Sequence, residues 1–234
     1  MESWLLVFTF FSVAIGSIFS IVLLFFKKSS VAIRLLGLYT LTLSLGLAEP
    51  LLLPFLNEST MLFYGAFSFL YGPFLFLYTK YSASNFSHLK TREYFHFLPF
   101  MMYLFLIATS IVLPVVGDLD IPDLILYELL FFQIFFYCTK SLYFLKALPH
   151  LVSAPDKRVG MMKQSFLYAI NICSTVLFLS SFLGSHLLLF LGNQTLPSGF
   201  ISFIQVAITL VILIVCLLNT ETMTAKIIEP DDLE

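Results

Sequence analysis

Seven apolar runs, each about as long as a bilayer is thick, follow one another along this chain. A spanning helix needs about 20 mostly apolar residues at about 1.5 Å rise each. The runs are Trp4–Phe26, Val31–Leu56, Met61–Tyr81, Tyr94–Val116, Ile121–Leu148, Lys163–Leu191 and Pro197–Asn219. Of the residues, 59% are hydrophobic and 11% charged, and mean hydropathy is +0.98. Soluble domains sit near 45–50% apolar and about 25% charged, because they need polar residues to cover their surface. The pattern implies an all-α, polytopic membrane protein.

Charge placement gives the orientation. All 12 Lys and Arg fall on one set of connections. Lys27, Lys28 and Arg34 flank the first. Lys80, Lys90 and Arg92 lie in or beside the third. Lys140, Lys146, Lys157, Arg158 and Lys163 lie in or beside the fifth, and Lys226 follows the seventh run. The amino terminus and the even-numbered connections carry Glu2, Asn57-Glu58, Asp118, Asp120, Asp123 and Asn193-Gln194-Thr195 instead. The positive-inside rule then predicts seven spans, with the amino terminus outside and the carboxyl terminus in the cytoplasm. Residues 1–219 form the seven-helix domain and 220–234 a short polar cytoplasmic tail. The longest connection, Pro149–Met162, is expected to be cytoplasmic, with Pro149, Pro155 and Gly160 as breakers. The start Met-Glu-Ser-Trp lacks a basic n-region, so no cleavable signal peptide is expected. Cys138, Cys173 and Cys216 lie inside apolar runs without metal-ligand spacing and read as buried free thiols.

The stretch 71–100 is the most distinctive. Tyr71-Gly72-Pro73-Phe74-Leu75-Phe76-Leu77-Tyr78 closes the third run. A basic loop follows, and His96-Phe97-Leu98-Pro99-Phe100 opens the fourth. These two motifs resemble the heptahelical amino-terminal domain of membrane-bound bacterial regulators of the arabinose-regulator (AraC) class. The resemblance implies a multi-pass protein of the bacterial inner membrane and a sensory role. In that group a cytoplasmic helix-turn-helix domain follows the seventh helix. No such pattern follows Asn219 here, so direct nucleic-acid binding is not implied. The output would pass to a protein partner or a second copy.

Ionisable and polar groups at membrane depth are costly and mark candidate sites. Glu49 (beside Pro50), Glu128, His186 and Gln205 come from four different runs and share one outer layer by depth. One reading is a small cavity open to the outside, with Glu49 and Glu128 as anionic or proton-binding anchors. The other is interhelical hydrogen bonding or snorkelling. On the cytoplasmic side, Gly72, Pro73, His96 and Pro99 are candidates for a conformational joint; for His96, a plain interfacial hydrogen bond is the competing reading. Asn171 and Gln133 read as interhelical hydrogen-bonding residues. Tyr64, Tyr71, Tyr78, Tyr81, Tyr94, Tyr137 and Tyr143 read as interface anchors or packing. Gly65-Ala66 and Gly72 would allow close helix approach.

Several functions are disfavoured. The seventh run contains no lysine for a retinal Schiff base. There is no Asp/Glu-Arg-Tyr run after the third run and no Asn-Pro-x-x-Tyr in the seventh, as eukaryotic heptahelical receptors carry. His-Glu-x-x-His, Gly-x-x-x-x-Gly-Lys and Gly-x-Ser-x-Gly are also missing. No enzyme activity, metal or cofactor is expected. Three functions remain open: a membrane sensory or signalling module, a non-catalytic subunit of a larger membrane complex, and a small solute or proton carrier.

Overall fold

The computed structural model describes residues 3–25, 30–57, 63–83, 88–112, 123–147, 157–190, 206–212 and 214–215, and no strand occurs among them. Helix α1 spans Ser3–Phe25 and α2 spans Val31–Leu52, the latter closing in a 3₁₀ turn at Leu53–Phe55. Helical residues 63–66 and a 3₁₀ turn at Phe67–Leu70 lead into α3, Tyr71–Ala83. A second 3₁₀ segment, Thr91–Phe97, leads into α4, Leu98–Val112. Helix α5 spans Asp123–Ala147, α6 spans Lys157–Phe190, and α7 covers 206–212. Among the described residues, Leu6–Phe25, Val31–Glu49 and Gln164–Gly184 are long and apolar enough to cross a membrane. The tail 220–234, Asp118, Asp120, Asn193–Thr195, Cys216 and Gln205 lie outside the described residues.

Two prolines explain why the third and fourth runs are not single regular helices. A proline removes the hydrogen bond to the carbonyl four residues earlier and crowds that carbonyl. For Pro73 this carbonyl is Phe69, inside the first 3₁₀ turn. Gln133 of α5 reaches across and donates its Nε2 hydrogen to the Phe69 carbonyl at 3.0 Å. For Pro99 the carbonyl is Phe95, inside the second 3₁₀ segment. It accepts the backbone N–H of Leu98 in the shorter i→i−3 pattern. Regular α-helix therefore begins at Tyr71 and Leu98, and α3 and α4 are only 13 and 15 residues long.

Helix α3 lies at the centre, packed between α2 and α5 and touching α6. Leu75, Leu77, Tyr78 and Thr79 are wholly buried, and nearly every residue from Tyr71 to Ser82 is shielded. A helix buried on all sides carries no polar stripe, and Tyr71–Tyr78 is apolar all round to match, with Thr79, Lys80 and Ser82 confined to its last turns. Tyr39 on α2 reaches Ser174 on α6 at 2.6 Å, and Asn171 on α6 donates to Thr79 on α3 at 2.9 Å. Tyr71, Tyr78, Tyr81 and Tyr137 pack in the core, whereas Tyr94 and Tyr143 face outward.

Helix α1 joins this core by one narrow seam. Thr9, Ser12, Gly16 and Ser20 form its buried stripe. The Ser20 hydroxyl bonds the Thr40 hydroxyl of α2 at 2.8 Å, and a Cβ added at Gly37 would meet the Ser20 carbonyl at 3.2 Å. Small residues four apart let two backbones approach where lipid gives no hydrophobic drive for association. The rest of α1, including Phe10, Phe11, Ile18 and Phe25, is exposed, as a lipid-facing surface requires.

Two expectations are corrected. Gly160 does not break the chain: it lies inside α6, which starts at Lys157 and runs 34 residues. That is about 50 Å of helix, longer than the about 30 Å of a bilayer's hydrocarbon, and its stretch apolar enough to cross one is Gln164–Gly184. Gly65 is exposed, and a Cβ added there would meet only the Tyr103 hydroxyl, at 4.0 Å, so it mediates no close approach. Ala66 is wholly buried, and at Gly72 a Cβ would stand 2.7 Å from the Tyr137 ring, so these two positions do.

Candidate functional site

Two polar sites occupy the two ends of the α3–α5 pair. The first is built around Glu93, in the 3₁₀ segment before α4, which is 1% exposed. Its Oε1 lies 2.6 Å from the Lys80 ammonium of α3 and 3.4 Å from Arg92 Nε, and its Oε2 lies 3.3 Å from His96 Nε2. The Glu93 backbone N–H donates to the Lys90 carbonyl, and the Lys90 N–H donates to the Tyr81 hydroxyl, both at 2.9 Å. These bonds seat the loop against α3 and bring the carboxylate inward.

His96 extends the cluster to α5, with Nδ1 3.0 Å from the Tyr137 hydroxyl. Since the Glu93 carboxylate only accepts, His96 Nε2 carries the hydrogen facing it. Phe76 of α3 packs edge-on to His96, and Lys140 of α5 sits over the Phe76 ring at 4.5 Å. Burial alone would push the Glu93 carboxyl up. The Lys80 hydrogen bond and charge, with His96 and Arg92, outweigh burial and hold it below its ordinary value. Glu93 was not singled out from sequence; the available signal was a lone acid within an otherwise basic stretch, Lys90 to His96.

Gly72, Pro73, His96 and Pro99 all border this cluster or its supports. Gly72 admits the Tyr137 ring, Pro73 and Pro99 set the two 3₁₀-to-α junctions, and His96 bonds both Glu93 and Tyr137.

The second site lies toward the opposite end and has two parts. Glu128 of α5 pairs with His186 of α6, Oε1 to Nε2, at 2.7 Å. His186 Nδ1 lies 2.9 Å from the Phe182 carbonyl, which only accepts, so Nδ1 carries a hydrogen. A single further proton then lies between Nε2 and Oε1. The pair is either imidazolium–carboxylate or imidazole–carboxylic acid, and its net charge is zero in both. Glu128 also borders an apolar cavity of about 330 Å³ between α5 and α6, walled by Phe131, Phe135, Phe178 and Phe182.

Glu49 faces a different cavity of about 200 Å³, between α2, the Phe67–Leu70 turn, α5, α6 and α7. Ser68, Tyr71, Ser181 and Thr209 supply hydroxyls there, and Tyr71 stacks on Phe178 at 5.4 Å. The Tyr71 hydroxyl is seated against Gly46, where any side chain would collide with it. Of the two readings of these acids, the pairing of Glu128 with His186 is an interhelical hydrogen bond, and Glu49 and Glu128 border different cavities that share Phe131, Ile134 and Phe178. Helical azimuth made the difference: depth places both acids in one layer, but each side chain leaves its helix toward a different neighbour.

No group of three or more His, Cys, Asp or Glu able to hold a metal occurs among the described residues. The arrangement defines an all-helical protein with helices able to cross a membrane, carrying a charge cluster at one end and polar cavities toward the other. No family model, curated protein or solved structure matches the chain.

Proposed function

We propose that this chain is a membrane-embedded sensory or signalling module of a bacterial inner membrane. It has seven spans, the amino terminus outside and the carboxyl terminus in the cytoplasm. It receives an external or membrane-borne signal at the Glu49 and Glu128–His186 end. It passes that signal to the Glu93 cluster, which faces the cytoplasm beside the basic loops, and from there to a protein partner or a second copy. The likeness of Gly72–Tyr78 and His96–Phe100 to the AraC-class membrane domain supports the same reading.

One observation carries it: α3 and α5 each contribute to both sites. Helix α3 gives Tyr71 to the Glu49 cavity and Phe76 and Lys80 to the charge cluster. Helix α5 gives Glu128 and Phe131 at one end and Tyr137 and Lys140 at the other. Glu128 and Tyr137 are nine residues, roughly 13 Å, apart on one continuous helix. A tilt of α5 against α3 changes the cavities and the cluster together. The 3₁₀ junctions at Pro73 and Pro99 are where such a tilt meets least backbone resistance. A signal shifts the equilibrium only by its differential affinity for the two arrangements. The exposed aromatic faces of α1 and α4 are what lipid contact requires and do not by themselves call for a further subunit.

Spin labels at Thr91→Cys and Ala147→Cys, both exposed, report the distance between the second 3₁₀ segment and the end of α5. In lipid nanodiscs, Glu128→Gln, which removes the carboxylate facing His186, is expected to shift that distance distribution. One unchanging distribution in the parent and in Glu128→Gln, across lipid compositions, would overturn the proposal.

A further inference from the structure

We propose that the cavity at Glu49 binds a small primary ammonium cation. This names the ligand class for one of the sites in the sensory reading, and it depends on that reading only for what binding does to the helices.

The charge balance comes first. Glu49 is the one charged side chain lining the cavity among the described residues, and neither Lys, Arg nor His lines it with Glu49. An anionic ligand would meet a carboxylate with nothing to offset it. Glu49 is itself exposed, so its charge is hydrated, and a cation is attracted where an anion would be repelled. Tyr71 and Phe178 stack on each other and wall one side of the cavity.

The hydroxyls then select a primary ammonium over a quaternary one. Ser68, Tyr71, Ser181 and Thr209 ring the cavity beside Glu49. Ser181 donates its hydrogen to the Leu177 carbonyl at 3.0 Å, so toward any other group it is an acceptor. An R–NH₃⁺ group has three N–H donors to distribute between a carboxylate and hydroxyl oxygens. A quaternary ammonium has none and would desolvate those oxygens without replacing their hydrogen bonds. At about 200 Å³ the cavity is smaller than the roughly 300–1,000 Å³ of drug-sized sites, which limits the ligand to a few heavy atoms.

The test uses the full chain in detergent or nanodiscs with n-propylammonium as the probe, read by ligand-observed NMR. The expected result is saturable binding that Glu49→Gln weakens at least tenfold. Ile18→Leu, on the exposed face of α1, should leave the affinity within about twofold. Tetramethylammonium and sodium should bind at least tenfold more weakly than propylammonium. Ser181→Ala and Thr209→Val are milder variants that keep the idea testable if Glu49→Gln does not fold: each should weaken propylammonium several-fold. Unsaturable propylammonium, affinity unaltered in all three variants, or tetramethylammonium binding as tightly, would overturn the inference. Binding without any change in the Thr91–Ala147 label distance would leave the inference standing and refute the sensory reading. A distance change in Glu128→Gln without propylammonium binding by the parent would do the reverse.

Discussion

Replacing Glu93 by Gln tests the centre of the charge cluster. The substitution keeps size and one acceptor oxygen but removes the charge facing Lys80, His96 and Arg92. Breaking a fully buried ion pair by neutralising one partner costs about 3–5 kcal/mol. Here the carboxylate is buried, but the Lys80 side chain is 16% exposed and can recover part of its hydration. The expected loss is about 2–3 kcal/mol, at or somewhat below the bottom of that range. Arg92, 70% exposed and 3.4 Å away, contributes little, so Arg92→Gln should stay within about 0.5 kcal/mol of the parent. The double variant Lys80→Gln/Glu93→Gln removes both charges and should be less damaged than the sum of the singles, by more than about 0.5 kcal/mol. Unfolding by SDS titration in dodecyl maltoside, followed through exposure of the buried Cys138 thiol, reads these differences. The reasoning fails if Glu93→Gln costs no more than Arg92→Gln.

The same pair carries a pH signature. Glu93 is held below its ordinary value of 4.5 in the folded protein. Its stabilisation is therefore complete above about pH 4.5 and lost as the pH falls through the lower folded value, where the carboxylate protonates in both states. The parent chain should lose stability relative to Glu93→Gln over that acid window and not between pH 6 and 8. A Glu93→Gln curve that falls in parallel with the parent would refute the assignment.

Other outcomes follow from named contacts. Gly72→Ala places a methyl 2.7 Å from the Tyr137 ring and should destabilise by about 1–3 kcal/mol, whereas Gly65→Ala meets open space and should be neutral or slightly stabilising, in the same titration. Ser20→Leu should detach α1 from α2, at a cost above about 2 kcal/mol, while Ile18→Leu on the exposed face should have no measurable effect. For topology, single cysteines at Asn57 and His88 in intact cells should differ: an impermeant maleimide should label position 57 directly and position 88 only after permeabilisation.

Much of the architecture was legible because bilayer thickness and proline chemistry act on local sequence. The starts of α1 and α2 agree with the apolar runs to within a residue, and the segment 71–100 carries the central helix and its two junctions. Gln133 and Asn171 were readable as interhelical bonds because an amide at that depth has few other uses. What was not legible depends on direction around a helix. Glu49 and Glu128 share a depth but diverge in azimuth, and Glu93 looks like an ordinary loop acid until the Lys90–Tyr81 bond folds it inward. The α1 seam was accessible in principle as Ser12, Gly16 and Ser20 at spacings of four, a pattern hidden among more conspicuous phenylalanines.

The central position of α3 ties these observations together. In a bilayer, a helix touching protein on all sides gains no hydrophobic energy over one in lipid, so its place is fixed by packing and by polar contacts. Such contacts sit at identifiable points: Tyr71 against Gly46, Gly72 against Tyr137, Thr79 with Asn171, Lys80 with Glu93 and Tyr81 with Lys90. Those at Gly72, Lys80 and Tyr81 face α5 or the segment that leads into α4. The first lies beside the Pro73 junction and the other two near the end of the helix. An element held at such discrete points, with a weakened backbone at its start, can take up a second arrangement by exchanging one contact while keeping the others. Gly72 is the contact whose change distinguishes coupled from independent sites. If Gly72→Ala shifts the Thr91–Ala147 distance in the absence of any signal, α3 and α5 move as coupled units. If it only lowers stability and leaves that distance alone, the two helices form a rigid pair and the Glu49 and Glu93 sites act independently.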